Sequence, residues 1–486
     1  TWLDLHAWCK TKGMPKTKLT LAYFPDTFRG MMATKDIEVG EALVSVPENL
    51  LITASKVRKL VERRIAAFPN ESSGSKGRRW PLSEHQSLAY WLYSESIKQS
   101  DSQWYSYIRS IPRDFGTIPL YLLAGNVPCG SIATVGTESS RWVMAHMPHS
   151  MKQRAIEQHE RLYKDWTATN TFLEAVSMGP LDKWSLYVWA WLAVNTRCIH
   201  LGQHTGAAKT RAIDTKKLVT SPDNLVESID STDAMALAPV LDLLNHSAEA
   251  DIATRFDPNS RQFIIQTNRA FGKGREAFIR YGPHDNRFMI IEYGFVLARN
   301  PYQVLELDHV VSQWTEAAKT RLRTARSKTL LIRPDDVDVL VTTLKQHKMW
   351  GDFTISLDDL EPSYRLHAAL RLLLLVEQQN MTSKQAVRQW ERWRRGEPTT
   401  SPENSDIEAA IQSWVCVICQ NMAALSQQML EDIRIRTDQS KSHDAGDPIN
   451  EFLIHCLSTV WREIKEISER CLAHIMPDQR VMSCGP

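Results

Sequence analysis

Asp242-Leu243-Leu244-Asn245-His246-Ser247 closes a mostly apolar run that starts at Met235, and Ala277-Phe278-Ile279-Arg280-Tyr281-Gly282 follows downstream. Buried polar groups are costly unless each finds a partner, so an Asn-His pair directly after an apolar run marks where the chain leaves the interior at a site. The second phrase alternates like a strand and ends on a phenol. An amide and an imidazole from one element, with a phenol from another, could together hold a polar ligand and touch its reacting centre.

Working outward, residues 19–50 read as strand and turn: Leu19 to Tyr23, then Gly40-Glu41 between Ile37 and the run Leu43, Val44, Val46, which Pro47 ends. The stretch 71–78 is a flexible loop by composition. From Ser83 to about Thr196 the period becomes helical, with Leu88, Trp91 and Leu92 on one face and Leu186, Trp189, Ala190 and Ala193 on another. A polar loop at 202–221 precedes the return to strands at 234–295. After Pro301 the strand signal fades, and helices are expected at 310–326, 334–347, 363–379, 383–395, 407–435 and 450–475. Polar linkers are expected at 396–405 and 437–448. Periodicity alone therefore predicts an α+β chain: a split β-rich unit holding a helical insert, then a helical domain.

Bulk properties set bounds. At 486 residues the chain is too long for one ordinary core, and 43% hydrophobic with 23% charged residues is the composition of a soluble globular protein. A net charge of +2 gives no footprint for nucleic acid or an anionic membrane, and Arg392-Trp393-Arg394-Arg395 reads as a solvated helix face. The apolar run Ala368 to Val376 is too short for a bilayer, and the first residues, with Asp4 and His6, lack the shape of a secretory signal. Eight scattered cysteines suit reduced thiols, hence a cytoplasmic or nuclear protein. The three sequons at Asn70, Asn245 and Asn380 are read as coincidence. Cys416-Val417-Ile418-Cys419 has zinc spacing but sits in a helical pattern without a second pair, so core cysteines and no metal are expected. No G-x-S-x-G, phosphate loop or GxGxxG is present.

Several phrases in order resemble the SET-domain protein methyltransferases, in the branch related to the Rubisco large-subunit lysine methyltransferase. They are Phe28 to Ile37, Trp104 to Ile108 with Ile111-Pro112, Trp189-Ala190-Trp191 through Asn195-Thr196-Arg197, the Asn245-His246 and Tyr281-Gly282 phrases, Asn286-Arg287-Phe288, and Glu292 to Phe295. The cysteine-rich tail of many histone-directed relatives is absent after Phe295, which fits this branch. The resemblance implies a SET core at 1–82 and 201–300, a helical insert at 83–200, and a helical domain at 301–486 that helps bind protein substrate. It implies S-adenosyl-L-methionine as cofactor, a lysine of a non-histone protein as acceptor (a ribosomal protein is one candidate class), and a monomer without nucleic-acid or membrane partners.

By the same resemblance Tyr281 is the catalytic residue. Thr27, Phe28, Arg29, Arg197, Asn245, His246 and Tyr293 would surround the cofactor, with Arg197 facing its carboxylate. Asp242, Phe256 and Ile199 would contact substrate; Asp242 could instead hydrogen-bond inside the core. Methyl transfer from a sulfonium needs alignment and desolvation, with no metal and no enzyme nucleophile. A lysine amine, with a solution pKa of about 10.4, must be neutral to attack, and an apolar channel beside a cation favours that form. Blander readings exist for each residue. Tyr281 could be a strand-end tyrosine with a wetted hydroxyl, Asn245-His246 a turn capped by Ser247, Arg197 a surface ion pair, and Tyr293 the end of a helix before Gly294. The first loop departs from the family pattern: Phe28 stands two positions before Gly30, where relatives usually have a small residue, and pays a steric penalty if φ must be positive. That departure motivates a non-catalytic SET scaffold as one alternative. A histidine acceptor is the other.

Overall fold

The alternating residues of 19–47 become strands. β1 (Leu19–Phe24) and β2 (Phe28–Ala33) form an antiparallel hairpin from Leu19↔Ala33 to Phe24↔Phe28, and β3 (Ala42–Pro47) ends at its proline. The computed structural model describes residues 1–67, 80–125, 128, 137–201, 234–324, 333–378, 381–397, 402–440 and 450–476. The expected loops at 71–78 and 202–221 and the sequon asparagines Asn70 and Asn380 lie outside them, as do 398–401 and 441–448 of the linkers. Two compact units emerge, Thr1–Ser140 with Ala155–His284 and Ile291–Gly294, and Arg141–Arg154 with Asp285–Ile290 and Phe295–Pro486.

In the first unit, α1 (Trp2–Thr11) precedes the hairpin, and β4 (Ile52–Thr53) leads into α2 (Ala54–Ala67). Neither helix was anticipated. The insert contains α3 (Glu84–Ile97), α4 (Tyr105–Ile108), α5 (Pro119–Ala124), α6 (Glu138–His146), α7 (His149–Ala175) and α8 (Trp184–Arg197). Ser83 and Gln86 form a capping box that starts α3. Helix α8 is buried on nearly every side from Tyr187 to Val194, so it reads as apolar all round instead of as one stripe. Its tryptophans spend their N–H groups inside: Trp189 donates to the Pro112 carbonyl at 2.7 Å and Trp191 to Asp165 at 2.9 Å.

The chain then returns to strands, β5 (Ile199–His200), β6 (Met235–Leu237), β7 (Asn245–His246), β8 (Ile252–Asp257), β9 (Gln262–Thr267) and β10 (Glu276–Ile279), before α9 (Asn286–Tyr293). Three small sheets result, with orders β1-β2-β10-β7, β3-β9-β8 and β4-β6-β5. Gly294 ends α9 with φ +78°; a Cβ there would lie 2.4 Å from the Thr117 hydroxyl oxygen, so glycine is required twice over.

The second unit holds β11 (Val304–Glu306), α10 (Asp308–Thr324), α11 (Pro334–Gln346), β12 (Thr354–Ser356), α12 (Tyr364–Gln378), α13 (Ser383–Arg394), α14 (Pro402–Ser440) and α15 (Glu451–Ile475). The β11–β12 ribbon corrects the expectation of an all-helical domain; three-residue strands are too short to show a period. Helix α14 runs through both expected linker edges. By length and composition its stretch Ser405–Asp438 could cross a membrane. It packs along α15 and against α12, with Ile407, Ile411, Val415, Cys419 and Ile433 buried and Gln412, Ser413 and Gln420 exposed, the pattern of a packed amphipathic helix. Cys416 and Cys419 lie on this helix, and no metal-ligating cluster occurs among the described residues.

A buried polar knot organises this unit. Asn286, fully buried, donates to the Leu297 carbonyl at 2.8 Å and to Glu463 at 2.5 Å, and accepts from the Leu297 N–H at 2.8 Å. Gln303 also donates to Glu463, at 2.6 Å. Burial pushes the Glu463 carboxyl from its ordinary 4.5 up to about 7, with Asp285 adding to the shift. Between those values the folded unit binds more protons than the unfolded chain, so its stability falls as pH rises. A contribution on the order of 3 kcal/mol, full below pH 4.5 and lost above pH 7, follows from that interval. Glu463→Gln keeps an acceptor without a titration, so urea-unfolding midpoints should lose most of this slope; an unchanged slope in the variant would assign it to other groups.

Candidate active site

Strand β10 brings together phrases far apart in sequence. On one side it pairs antiparallel with β2 (Glu276↔Met32, Ala277↔Met31), and on the other it runs parallel to β7 (Phe278↔Asn245, Ile279↔His246). Tyr281 follows β10 and is locked onto β7: its N–H donates to His246 Nδ1 at 3.0 Å, and its hydroxyl donates to the Leu244 carbonyl at 2.9 Å. Because a carbonyl only accepts, the phenol's hydrogen is committed to the backbone, which fixes the orientation of the hydroxyl. The ring lies 5.0 Å from the Tyr293 ring and 5.2 Å from His246. Burial pushes the Tyr281 phenol up to about 12 and raises Tyr293 too, so Tyr281 stays protonated at neutral pH. His246 is pushed down to about 4, first by burial and then by the neighbouring His284, and is neutral.

Asn245 closes the first loop. Its Nδ2 donates to the Arg29 carbonyl at 3.1 Å, the Thr27 carbonyl at 3.4 Å and Glu276 Oε1 at 2.8 Å. All three are acceptors, so the amide orientation is fixed by chemistry, with Oδ1 on the opposite side. Glu276 was missed in the sequence, where the only signal is a carboxylate opening an otherwise apolar strand.

Phe28 adopts φ +57°, the left-handed region in which a bulky side chain pays a steric penalty. Its ring points outward, 44% exposed, edge-on to the Tyr23 ring at 5.9 Å. The cost is backbone strain on the order of 1 kcal/mol. A second residue of positive φ, buried Val240 at φ +71° and ψ −43°, lies just ahead of the segment leading to Asn245.

Arg197, at the end of α8, is 14% exposed and donates through Nη1 to the Asp242 carbonyl at 2.8 Å, with the Asp242 carboxylate 3.4 Å away. The Asp242 side chain has no exposure and also accepts from the Tyr107 hydroxyl at 3.1 Å. This corrects its expected place among substrate contacts: it takes the interior alternative. Arg29 donates to the Ser110 carbonyl at 2.7 Å, and its guanidinium is held below the usual range by burial and by the Arg197 charge. Asp242 pairs with Arg197 and also exerts its charge on Arg29. Arg197 Nε and Asp242 Oδ1 are buried without a hydrogen-bond partner among the described residues. Glu292 ties α8 to the segment of Tyr293, accepting from Asn195 at 2.9 Å and Gln158 at 2.8 Å.

The structure thus gathers Tyr281, His246, Asn245, Thr27, Phe28, Arg29, Arg197 and Tyr293. Ile199 is placed on β5 against Ala236, and Phe256 on β8 against Phe263; each is half-buried on a different sheet from β10.

Residues 29–282 match the SET domain. The chain belongs to the SET domain family. It is 29% identical over 395 residues to SET domain-containing protein 4 of Mus musculus, covering 79% of this chain and 75% of that protein. It is 23% identical over 463 residues to the ribosomal lysine N-methyltransferase set11 of Schizosaccharomyces pombe, covering 94% and 93%. The actin-histidine N-methyltransferase of Drosophila melanogaster is 25% identical over 304 residues, 60% of this chain and 48% of that protein. A crystal structure of the SET domain of LSMT bound to lysine and AdoHcy superposes with TM-score 0.58 at 14% identity, covering 99% of this chain and 92% of that one. That last likeness establishes the shared fold, including the helical C-terminal region.

Replacing Phe28 by glycine in this SET domain removes the left-handed strain, and the melting temperature should rise by about 2 °C. Phe28→Val, β-branched, should lower it. A lower melting temperature for Phe28→Gly would mean that the Tyr23–Phe28 ring contact outweighs the strain.

Proposed function

We propose that this chain is an S-adenosyl-L-methionine-dependent methyltransferase acting on a lysine side chain of a non-histone protein, with ribosomal proteins as the first class to examine. The observation that carries the reading is the Tyr281 phenol fixed by the Leu244 carbonyl, one residue from Asn245 and packed on Tyr293. The residues present fit the cofactor's chemistry. The unpartnered Arg197 Nε suits a carboxylate and Asn245 Oδ1 suits an ammonium, and Asn245 is held to the Thr27 and Arg29 carbonyls of the first loop. When bound, the cofactor supplies a sulfonium-linked methyl group.

The side chains divide the remaining work. Tyr281 offers lone pairs to the N–H of an incoming amine and orients its nitrogen. With its phenol pushed up to about 12 it does not serve as the base at neutral pH; the amine enters neutral, its charged form disfavoured by burial between aromatic rings. Tyr293 and His246 exclude water from that place. The ribosomal class is supported by the relative set11, named a ribosomal lysine N-methyltransferase, which aligns over 94% of this chain. Scattered reduced cysteines support action in the cytoplasm or nucleus, and the reading takes the enzyme as a monomer.

A histidine acceptor is the second reading, favoured by the similarity to actin-histidine N-methyltransferase. A non-catalytic scaffold is the third reading, motivated by the bulky Phe28 at φ +57° in the first loop. The test is transfer of labelled methyl to a ribosomal-protein fraction and to actin, with mass spectrometry of the modified peptides. We expect label on lysine, and a loss of at least about 100-fold in kcat for Tyr281→Phe. Label on imidazole selects the second reading. Cofactor binding without any transfer, indifferent to Tyr281→Phe, selects the scaffold.

A further inference from the structure

The carboxylate of Glu276 divides its two oxygens between the two halves of the cradle. Oε2 accepts from the Thr27 hydroxyl at 2.5 Å, and Oε1 accepts from Asn245 Nδ2 at 2.8 Å. Gly30 makes room for it: a Cβ at that position would stand 2.0 Å from Oε1 and 2.8 Å from Asn245 Nδ2. Glu276 is half-buried, Asp26 adds a like charge beside it, and no lysine or arginine pairs with it among the described residues. A carboxylate is an expensive group to keep there if it only fills space. What it uniquely supplies is two acceptor oxygens on one rigid plane, one for a hydroxyl and one for an amide.

The consequence falls on Asn245. Without an acceptor at Oε1, its Nδ2 keeps only two backbone carbonyls at 3.1 and 3.4 Å, and the amide is free to turn over. Turning would aim a donor, not an acceptor, into the cradle. We infer that Glu276 is a positioning residue for the cofactor's amino-acid end: it holds Asn245 with Oδ1 toward the ligand's ammonium and tethers the Thr27 turn to β10. The inference rests on the reading that this site binds S-adenosyl-L-methionine.

Calorimetric titration of the whole protein with two ligands tests it. S-adenosylhomocysteine carries the ammonium and carboxylate; 5′-methylthioadenosine carries neither. Glu276→Ala should weaken S-adenosylhomocysteine at least about tenfold, the scale of a charge-assisted hydrogen bond, and leave methylthioadenosine within about twofold. Glu276→Gln, which can accept from Asn245 and donate to Thr27, should restore binding to within about threefold of the parent. In turnover, KM for S-adenosyl-L-methionine should rise in the alanine variant with kcat little changed. If Glu276→Ala does not fold, Thr27→Val carries the test, with an expected loss of about threefold confined to S-adenosylhomocysteine. Equal weakening of both ligands would make Glu276 merely structural, and unchanged affinity for both would remove its role; either overturns the inference. Failure of the parent itself to bind S-adenosylhomocysteine would instead overturn the functional reading.

Discussion

The short parallel pairing of β7 with β10 is the contact on which the site depends. Two residues, Asn245 and His246, register against Phe278 and Ile279, and the Ser247 N–H extends the ladder to the Ile279 carbonyl at 3.0 Å. Successive side chains on a strand point to opposite faces, so a slip of one residue would exchange Asn245 and His246 across the sheet. Two paired residues are little to fix a register. The remaining specification comes from side chains: the His246 ring accepts the Tyr281 N–H, and the Tyr281 hydroxyl reaches back to Leu244. Polar groups that would be costly if unmade thus select one alignment.

Around that pairing the insert acts as a stiff buttress. Helix α8 has no solvated face through its middle, so Arg197 at its end is held by the whole packing of the first unit. From the same helix Asn195 reaches the Glu292 carboxylate beside Tyr293. Tyr107 of α4 reaches Asp242. The insert therefore touches the site at three polar points, Arg197 and Tyr107 on Asp242 and Asn195 on Glu292.

Much of this was legible in the sequence. The strand at Leu19–Tyr23, the strand ending at Pro47, the helical stretch from Ser83, the helices after residue 308 and the Asn-His and Tyr-Gly phrases follow from period, apolar runs and turn residues, because those signals are local. What was illegible is relational. Glu276 looks like any strand-opening carboxylate until Thr27, Gly30 and Asn245 stand around it. Asp242 offered two placements, and only the buried Arg197 and Tyr107 decide between them. The β11–β12 ribbon escaped because Val304–Glu306 and Thr354–Ser356 are each too short to carry a pattern, and α2 because its charged residues dilute the stripe of Val57 and Val61.

Phe28 and Val240, both of positive φ and neither a glycine, border the loop and the segment that meet at Asn245. A glycine at either place would sample both signs of φ and leave the ligand-free chain wandering. A bulky side chain that has already accepted the rare sign has few other places to go. The cradle is thereby preorganised: the entropy of ordering it is settled at folding, and little is left for an arriving ligand to supply.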